Sequence, residues 1–522
     1  MSLFNKLKNK PAVTTNHVGA KAYENSAEYR LVSMLMTSFV QNSYYRTANE
    51  GTSEMLELVK DVEPRFAAKA AVYARNEFGM RSSSHLLAAA LAERASGTDW
   101  GRKFYNRIVR RPDDMLEITS AYRQLAGKRT NLTNAMKKGF AAAFDRFDGY
   151  QLAKYRAANK EVKLIDLVNL VRPVPTQRNA TALQQLVDGT LRNTDTWEAK
   201  LSRAGAQVQG EDKETVKTAA WSELIQSGKL GYMALLRNLR NLLQADLSTE
   251  DFGLVIGQLT NERAILKSMQ FPFRFLSAYA EVEKLRTTKE ISFENDGENR
   301  ILETLNALET AVNVSVKNLP LLAGKTVILT DNSGSMRGDG RGSSAVSAMS
   351  KRITADIANL FAVLFRQRCE NTYVGLFGDR LIHGDLTRAK GVFENFKTLN
   401  AQAGKCGPGT EAGIFRAFEN LIEQKEMVER IIIFSDMQIG DRCSWFDTKG
   451  RQGTDFMKLY QKYRAINPDV RLYSIDLRGY GTTVFANGEY KITGWSDKIF
   501  EIMDRCEQDP RAMLNAVRTV EL

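Results

Sequence analysis

The 522 residues are too many for one ordinary domain, and a composition 43% hydrophobic and 26% charged is that of a soluble chain able to bury large cores. No apolar run reaches the roughly 18 residues of a bilayer-crossing helix, which excludes a membrane protein of that kind. The net charge is +12, and residues 101–160 alone hold 14 Lys+Arg against 5 Asp+Glu, a concentration that predicts an anion-binding surface.

The N-terminus, MSLFNKLKNKPAV, is basic and has no apolar signal core, so residues 1–15 read as a flexible tail of a cytoplasmic protein. From residue 16 to 318 nearly every segment reads as helix. Examples are AEYRLVSMLMTSFV, TSEMLELVKDVEP, RFAAKAAVYARNEF and SHLLAAALAERAS, with apolar residues three and four apart. Strand-like alternation is nearly absent. Short helices in pairs over some 300 residues predict a HEAT-like α-solenoid, with an irregular bundle as the competing arrangement.

Near residue 319 the pattern changes to alternating strand and helix, which predicts an α/β doubly wound, mainly parallel sheet over 319–522. KTVILTD, TYVGLFG, RIIIFSD and VRLYSIDL are the strands. SAMSKRITADIANLFAVLFRQR is an amphipathic helix with Ile353, Ile357, Leu360, Phe361 and Leu364 on one face; GTEAGIFRAFENLIEQ and DFMKLYQKYRAI are two more. Cys369, Cys406, Cys443 and Cys506 form no C-x-x-C pair, so reduced thiols are expected.

Asp331-Asn332-Ser333-Gly334-Ser335 follows the first of these strands directly. One carboxylate and two hydroxyls on alternate residues converge on a hard cation, and oxygen donors favour Mg²⁺, with Mn²⁺ or Ca²⁺ as substitutes, over zinc. The Gly-Lys-Thr at 324–326 precedes a strand instead of following one and lacks the first glycine of a phosphate loop. The three histidines, His17, His85 and His383, are scattered, and no H-E-x-x-H or G-x-S-x-G occurs. No nucleophile emerges, and the chain is expected not to be an enzyme.

The D-x-S-x-S pattern resembles the metal-ion-dependent adhesion site of von Willebrand factor A domains. That resemblance implies two further ligands, Thr410 in Gly407-Pro408-Gly409-Thr410 and Asp436 at the end of Ile431–Ser435. The helical part resembles the TROVE module of the Ro autoantigen family. Tyr29-Arg30-Leu31, Asn42–Tyr45, Thr196-Trp197-Glu198, Ala220–Ile225, Lys229–Leu239 and Phe271–Tyr279 carry the likeness.

The resemblance implies a monomeric ring of HEAT-like repeats clasped by the A domain. It implies Y RNA-like small noncoding RNA on an outer basic face, and single-stranded 3′ ends of misfolded RNA in a central hole. A role in RNA quality control or decay, beside an exoribonuclease, goes with it. Candidate RNA contacts are Arg102, Lys103, Arg107, Arg110, Arg111, Lys128, Arg129, Lys137, Lys138, Lys154, Arg156 and Lys160. The family's Trp-Ser-His before an acidic residue is missing, for Glu161–Asp166 reads EVKLID, and Arg172 stands near where a histidine is common. The competing reading is a scaffold whose A-domain metal captures a carboxylate from a partner protein, without RNA.

Overall fold

The computed structural model describes residues 11–38, 40–127, 131–156, 161–192, 201, 212–228, 230–268, 270–288, 297–317, 321–348, 350–440, 456–486, 489–496 and 498–522. The Trp197 segment, Lys128, Arg129, Lys160 and Cys443 lie outside the described residues. The chain forms two compact units, one of residues 1–108, 118–139 and 319–522, the other of 109–117 and 140–318.

The first unit opens with a hairpin where the sequence pattern predicted helix or tail. Strands β1 (Val13–Thr15) and β2 (Lys21–Glu24) pair antiparallel. Asn16 shapes the turn, its Oδ1 accepting from Val18 N and Ala20 N at 3.2 and 3.0 Å. Helices follow at Ala27–Thr37, Ala48–Asp61, Pro64–Asn76, Ser82–Ala90 and Gly101–Ile108. Their starts are chemically marked. Thr47 and Glu50 form a reciprocal capping box, and Glu63 accepts from Arg65 N and Phe66 N ahead of Pro64 at the first helical position. In Pro64–Asn76 the residues Ala67, Ala68, Ala70, Ala71 and Ala74 are fully buried, so small side chains let neighbouring helices approach closely.

The same unit contains the sheet of strands β3 (Leu322–Asp331), β4 (Cys369–Phe377), β5 (Leu381–His383), β6 (Arg430–Ser435), β7 (Arg471–Asp476) and, after the short β8 (Thr482–Thr483), β9 (Glu489–Thr493). The order is β5-β4-β3-β6-β7-β9, parallel except for the β5 edge, and β2 pairs with β8 in a separate small sheet. Every residue of β6 is buried, as helices on both faces require. On one face Ile431 and Ile433 meet Ile414, Phe418, Phe456, Tyr460 and Tyr463. On the other, Phe434 stacks on Phe361, and Phe500 meets Phe361 and Phe365 edge-on.

One predicted helix differs. It starts at Thr354, not Ser347, and its residues from Thr354 to Phe365 are buried all round. Ser344 O takes both the amide and the hydroxyl of Thr354, and Asp356 accepts from Ile353 N, so the serine-rich stretch ends as a loop. The helix looked amphipathic because its second face carries alanines and Asn359, which pack as core.

The second unit is helical throughout its described residues. Its longer helices are Asp212–Gln226, Tyr232–Gln244, Thr249–Thr260, Pro272–Thr288 and Gly297–Ser315. Trp221 and Phe275 are buried, and the Tyr232 hydroxyl donates to Leu259 O at 2.8 Å. These aromatic residues of the family-like blocks are therefore packing residues. The helix-rich part and the doubly wound α/β part are those the sequence predicts.

Candidate metal centre and basic face

Asp331 ends β3, the strand between β4 and β6, and its carboxylate therefore sits at the carboxyl edge of the parallel sheet. Its Oδ1 accepts from Ser333 N at 2.9 Å and its Oδ2 from Ser435 Oγ at 2.6 Å. The first bond folds the chain back at once, leaving Ser333 Oγ 3.2 Å from Ser335 Oγ. Gly334 N donates to Pro408 O at 2.9 Å, which ties this turn to the glycine-rich loop carrying Thr410. Thr410 Oγ1 accepts from Gly440 N at 3.1 Å, joining that loop to the one after β6. Asp436 begins that loop, its Oδ1 accepting from Gln438 N at 3.0 Å. Beside it Met437 holds a φ of 61°, in the left-handed region that only a few non-glycine residues adopt. The five residues expected from the sequence converge, and Ser435, which sequence reasoning passed over, joins them as the group that orients Asp331.

Burial dominates the electrostatics of the cluster. Burial pushes the Asp331 carboxyl up, and burial followed by the charge of Asp331 pushes Asp436 up. Asp436 Oδ2 is buried and accepts no hydrogen bond. Among the described residues no group of three His, Cys, Asp or Glu side chains gathers in the manner of a zinc site. Two carboxylates and three hydroxyls, one acceptor of them unsatisfied, fit a hard divalent cation that keeps part of its water.

The basic residues divide between the units. In the first, Arg102, Lys103 and Arg107 lie on the exposed face of Gly101–Ile108, while Phe104, Tyr105 and Ile108 are buried. The helix Asn134–Ala143 runs against it. A Cβ at Gly139 would collide with Tyr105 Cβ and lie 2.8 Å from Arg102 O, so only glycine permits the approach. On that second helix Lys138 is exposed and Lys137 half-buried. Arg107 also pairs with Glu521 at 3.3 Å.

In the second unit several candidates carry internal contacts. Arg111 binds Asp113 at 2.9 and 2.6 Å and lies 4.6 Å over the Tyr155 ring. Arg156 donates to Leu191 O at 2.5 Å, and Lys154 lies 5.8 Å over Tyr155. Arg110 is exposed, its amide bound to Asp114. Sequence reasoning missed a neighbouring cleft of about 550 Å³, lined by Tyr150, Arg178, Gln185 and Arg192. Tyr150 is 44% exposed there. A solvent-facing aromatic at a helix start is indistinguishable from a core one in a single sequence.

The fold and the cluster define a helix-rich protein that carries an A-type α/β domain with an oxygen-donor site at its sheet edge. The TROVE domain pattern matches residues 22–213 and 188–303, which together span more than half of the chain. The chain belongs to the TROVE-domain family. It is 24% identical to telomerase protein component 1 of Mus musculus over 343 residues and 25% identical to that of Rattus norvegicus over 333. Each match covers 49% of this chain and 13% of the relative, so the likeness concerns a small part of those proteins. In fold it is similar to the Ro (Rsr) protein of Deinococcus radiodurans, known from its crystal structure. That match has a TM-score of 0.55 at 14% identity, over 94% of this chain and 99% of the other.

Proposed function

We propose that the protein binds small structured noncoding RNA of the Y RNA type, and serves RNA quality control or decay without catalysing a reaction itself. The observation that carries this is the pair of helices packed together at Gly139 in a TROVE-family chain, which expose Arg102, Lys103 and Lys138 to solvent. Spaced cations on a rigid surface suit A-form RNA, whose recognition rests on backbone and shape more than on base edges. Tyr150, Arg178 and Arg192 around the cleft of the second unit add a stacking surface and phosphate donors for a single-stranded segment, such as a 3′ end. An exoribonuclease acting on RNA held this way is the partner the reading implies. Asp331, Ser333, Ser335, Thr410 and Asp436 are read as the site of one divalent cation, magnesium first, with manganese or calcium as substitutes.

The test is gel-shift titration of a small hairpin RNA at two or more salt concentrations. The wild type should bind with an affinity that falls steeply as salt rises. Arg102→Glu, Lys103→Glu and Lys138→Glu together should abolish binding. Unchanged affinity in the triple variant would remove the site assignment. A purified protein that carries no RNA and binds none would remove the function.

A further inference from the structure

The oxygen cluster at the sheet edge is covered. Asp331, Ser333, Ser335, Thr410 and Asp436 are between 0% and 6% exposed, although the carboxyl edge of such a sheet is where ligands ordinarily enter. The cover comes from residues 16–46 of the same compact unit. His17 N donates to Gln438 Oε1 and Asn16 Nδ2 to Ile439 O, each at 2.8 Å, which fastens the β1–β2 turn to the loop after Asp436. The Tyr44 hydroxyl donates to Asp339 Oδ2 at 2.7 Å, on the loop that follows Ser335. The Tyr44 backbone presses on Gly342, where a Cβ would lie 2.5 Å from Tyr44 O. Gln41 Nε2 donates to Val346 O at 3.1 Å, and Arg46 Nη1 to Gly479 O at 3.3 Å.

Tyr45 lies at the centre of this cover. Its ring stacks on His17 at 5.0 Å and 5°, and meets Tyr44 and Tyr480 edge-on at 4.7 and 5.4 Å. Three aromatic rings hold it in one orientation. Burial pushes its phenol up, and the charge of Asp436, the Ser335 side chain and the charge of Asp331 bear on it as well. Stacked on His17, which is tied to Gln438, and packed against Tyr44, which is tied to Asp339, Tyr45 is set beside the oxygens that the metal motif assembles.

We propose that Tyr45 closes the metal site from within the chain, its hydroxyl standing where the carboxylate of a partner protein would otherwise reach the cluster. The site then fastens the N-terminal segment to the sheet edge, and the scaffold reading loses its docking point. The inference rests on the assignment of the five residues to a divalent cation. Because coupling between two binding events is reciprocal, whatever order the cation imposes on residues 40–48 those residues return as cation affinity.

Hydrogen exchange of the full-length protein in magnesium chloride and in EDTA, beside magnesium titration calorimetry of wild type and Tyr45→Phe, tests this. Magnesium should slow exchange across residues 40–48. Tyr45→Phe should bind it about fivefold more weakly, the effect of losing one neutral hydrogen bond. Acetate added to the magnesium-loaded wild type should leave its melting temperature unchanged. Equal magnesium affinity in Tyr45→Phe, unchanged exchange at 40–48, or a stabilising effect of acetate would each overturn the cap while leaving the metal site standing. A wild type that takes up no magnesium would overturn both.

Discussion

Replacing Asp436 with Asn separates a metal centre from a merely polar cluster. The wild type holds two neighbouring carboxylates at 0% and 1% exposure, and Asp436 Oδ2 accepts no hydrogen bond. An unsatisfied buried acceptor costs about 1–3 kcal/mol, more when charged. In EDTA the Asn variant should therefore be as stable as wild type or more so, since it keeps the shape and removes one of two repelling charges. Magnesium reverses the order. At a concentration about 100 times its Kd, a ligand that binds only the folded state adds about 2.7 kcal/mol. For a unit of about 330 residues that raises the melting temperature by about 4 °C. Calorimetric melting of both proteins, in EDTA and in magnesium, reads the four values. Wild type gaining stability in magnesium while Asp436→Asn gains almost none is the expected pattern. An equal gain in both, or none in wild type, would refute the argument from buried charge.

The remaining expectations concern the RNA surface and its support. Asp331→Ala should abolish magnesium uptake and leave RNA affinity in gel shift within about twofold, because on the proposed reading the cluster faces residues 16–46 and RNA meets the basic helices; loss of RNA binding by a folded variant would end that division of labour. Tyr150→Ala should weaken a single-stranded oligonucleotide by about 1–3 kcal/mol in fluorescence anisotropy, while Tyr150→Phe keeps most of the affinity; equal loss in both would exclude stacking. Lys138→Glu alone should lower the slope of log affinity against log salt by about one for duplex RNA, and an unchanged slope would show that Lys138 meets no phosphate. Gly139→Ala should destabilise by about 1–3 kcal/mol in urea unfolding, because the added methyl collides with Tyr105 and the Arg102 carbonyl.

Local chemistry made much of this protein legible. The β-branched run Val327–Thr330 ending in Asp331, and the alternate serines after it, named the strand, its edge and the turn. A strand end, a glycine-rich loop and a second strand end gave Thr410 and Asp436 once the likeness to A domains supplied their order. The helices of the TROVE region followed from three- and four-residue apolar spacing. What stayed hidden depends on partners far along the chain. Residues 13–24 have weak local preference, and they form a hairpin because β8, more than 450 residues later, offers a strand to pair with. The helix Thr354–Arg368 looked amphipathic until both its faces met core. Arg111 and Arg156 count as free cations in a sequence and are seen in the fold to hold Asp113 and the Leu191 carbonyl. Tyr45 reads as one aromatic among many. Only the tertiary structure sets it over Ser335, because the contacts that hold it there join residues nearly 300 apart or more.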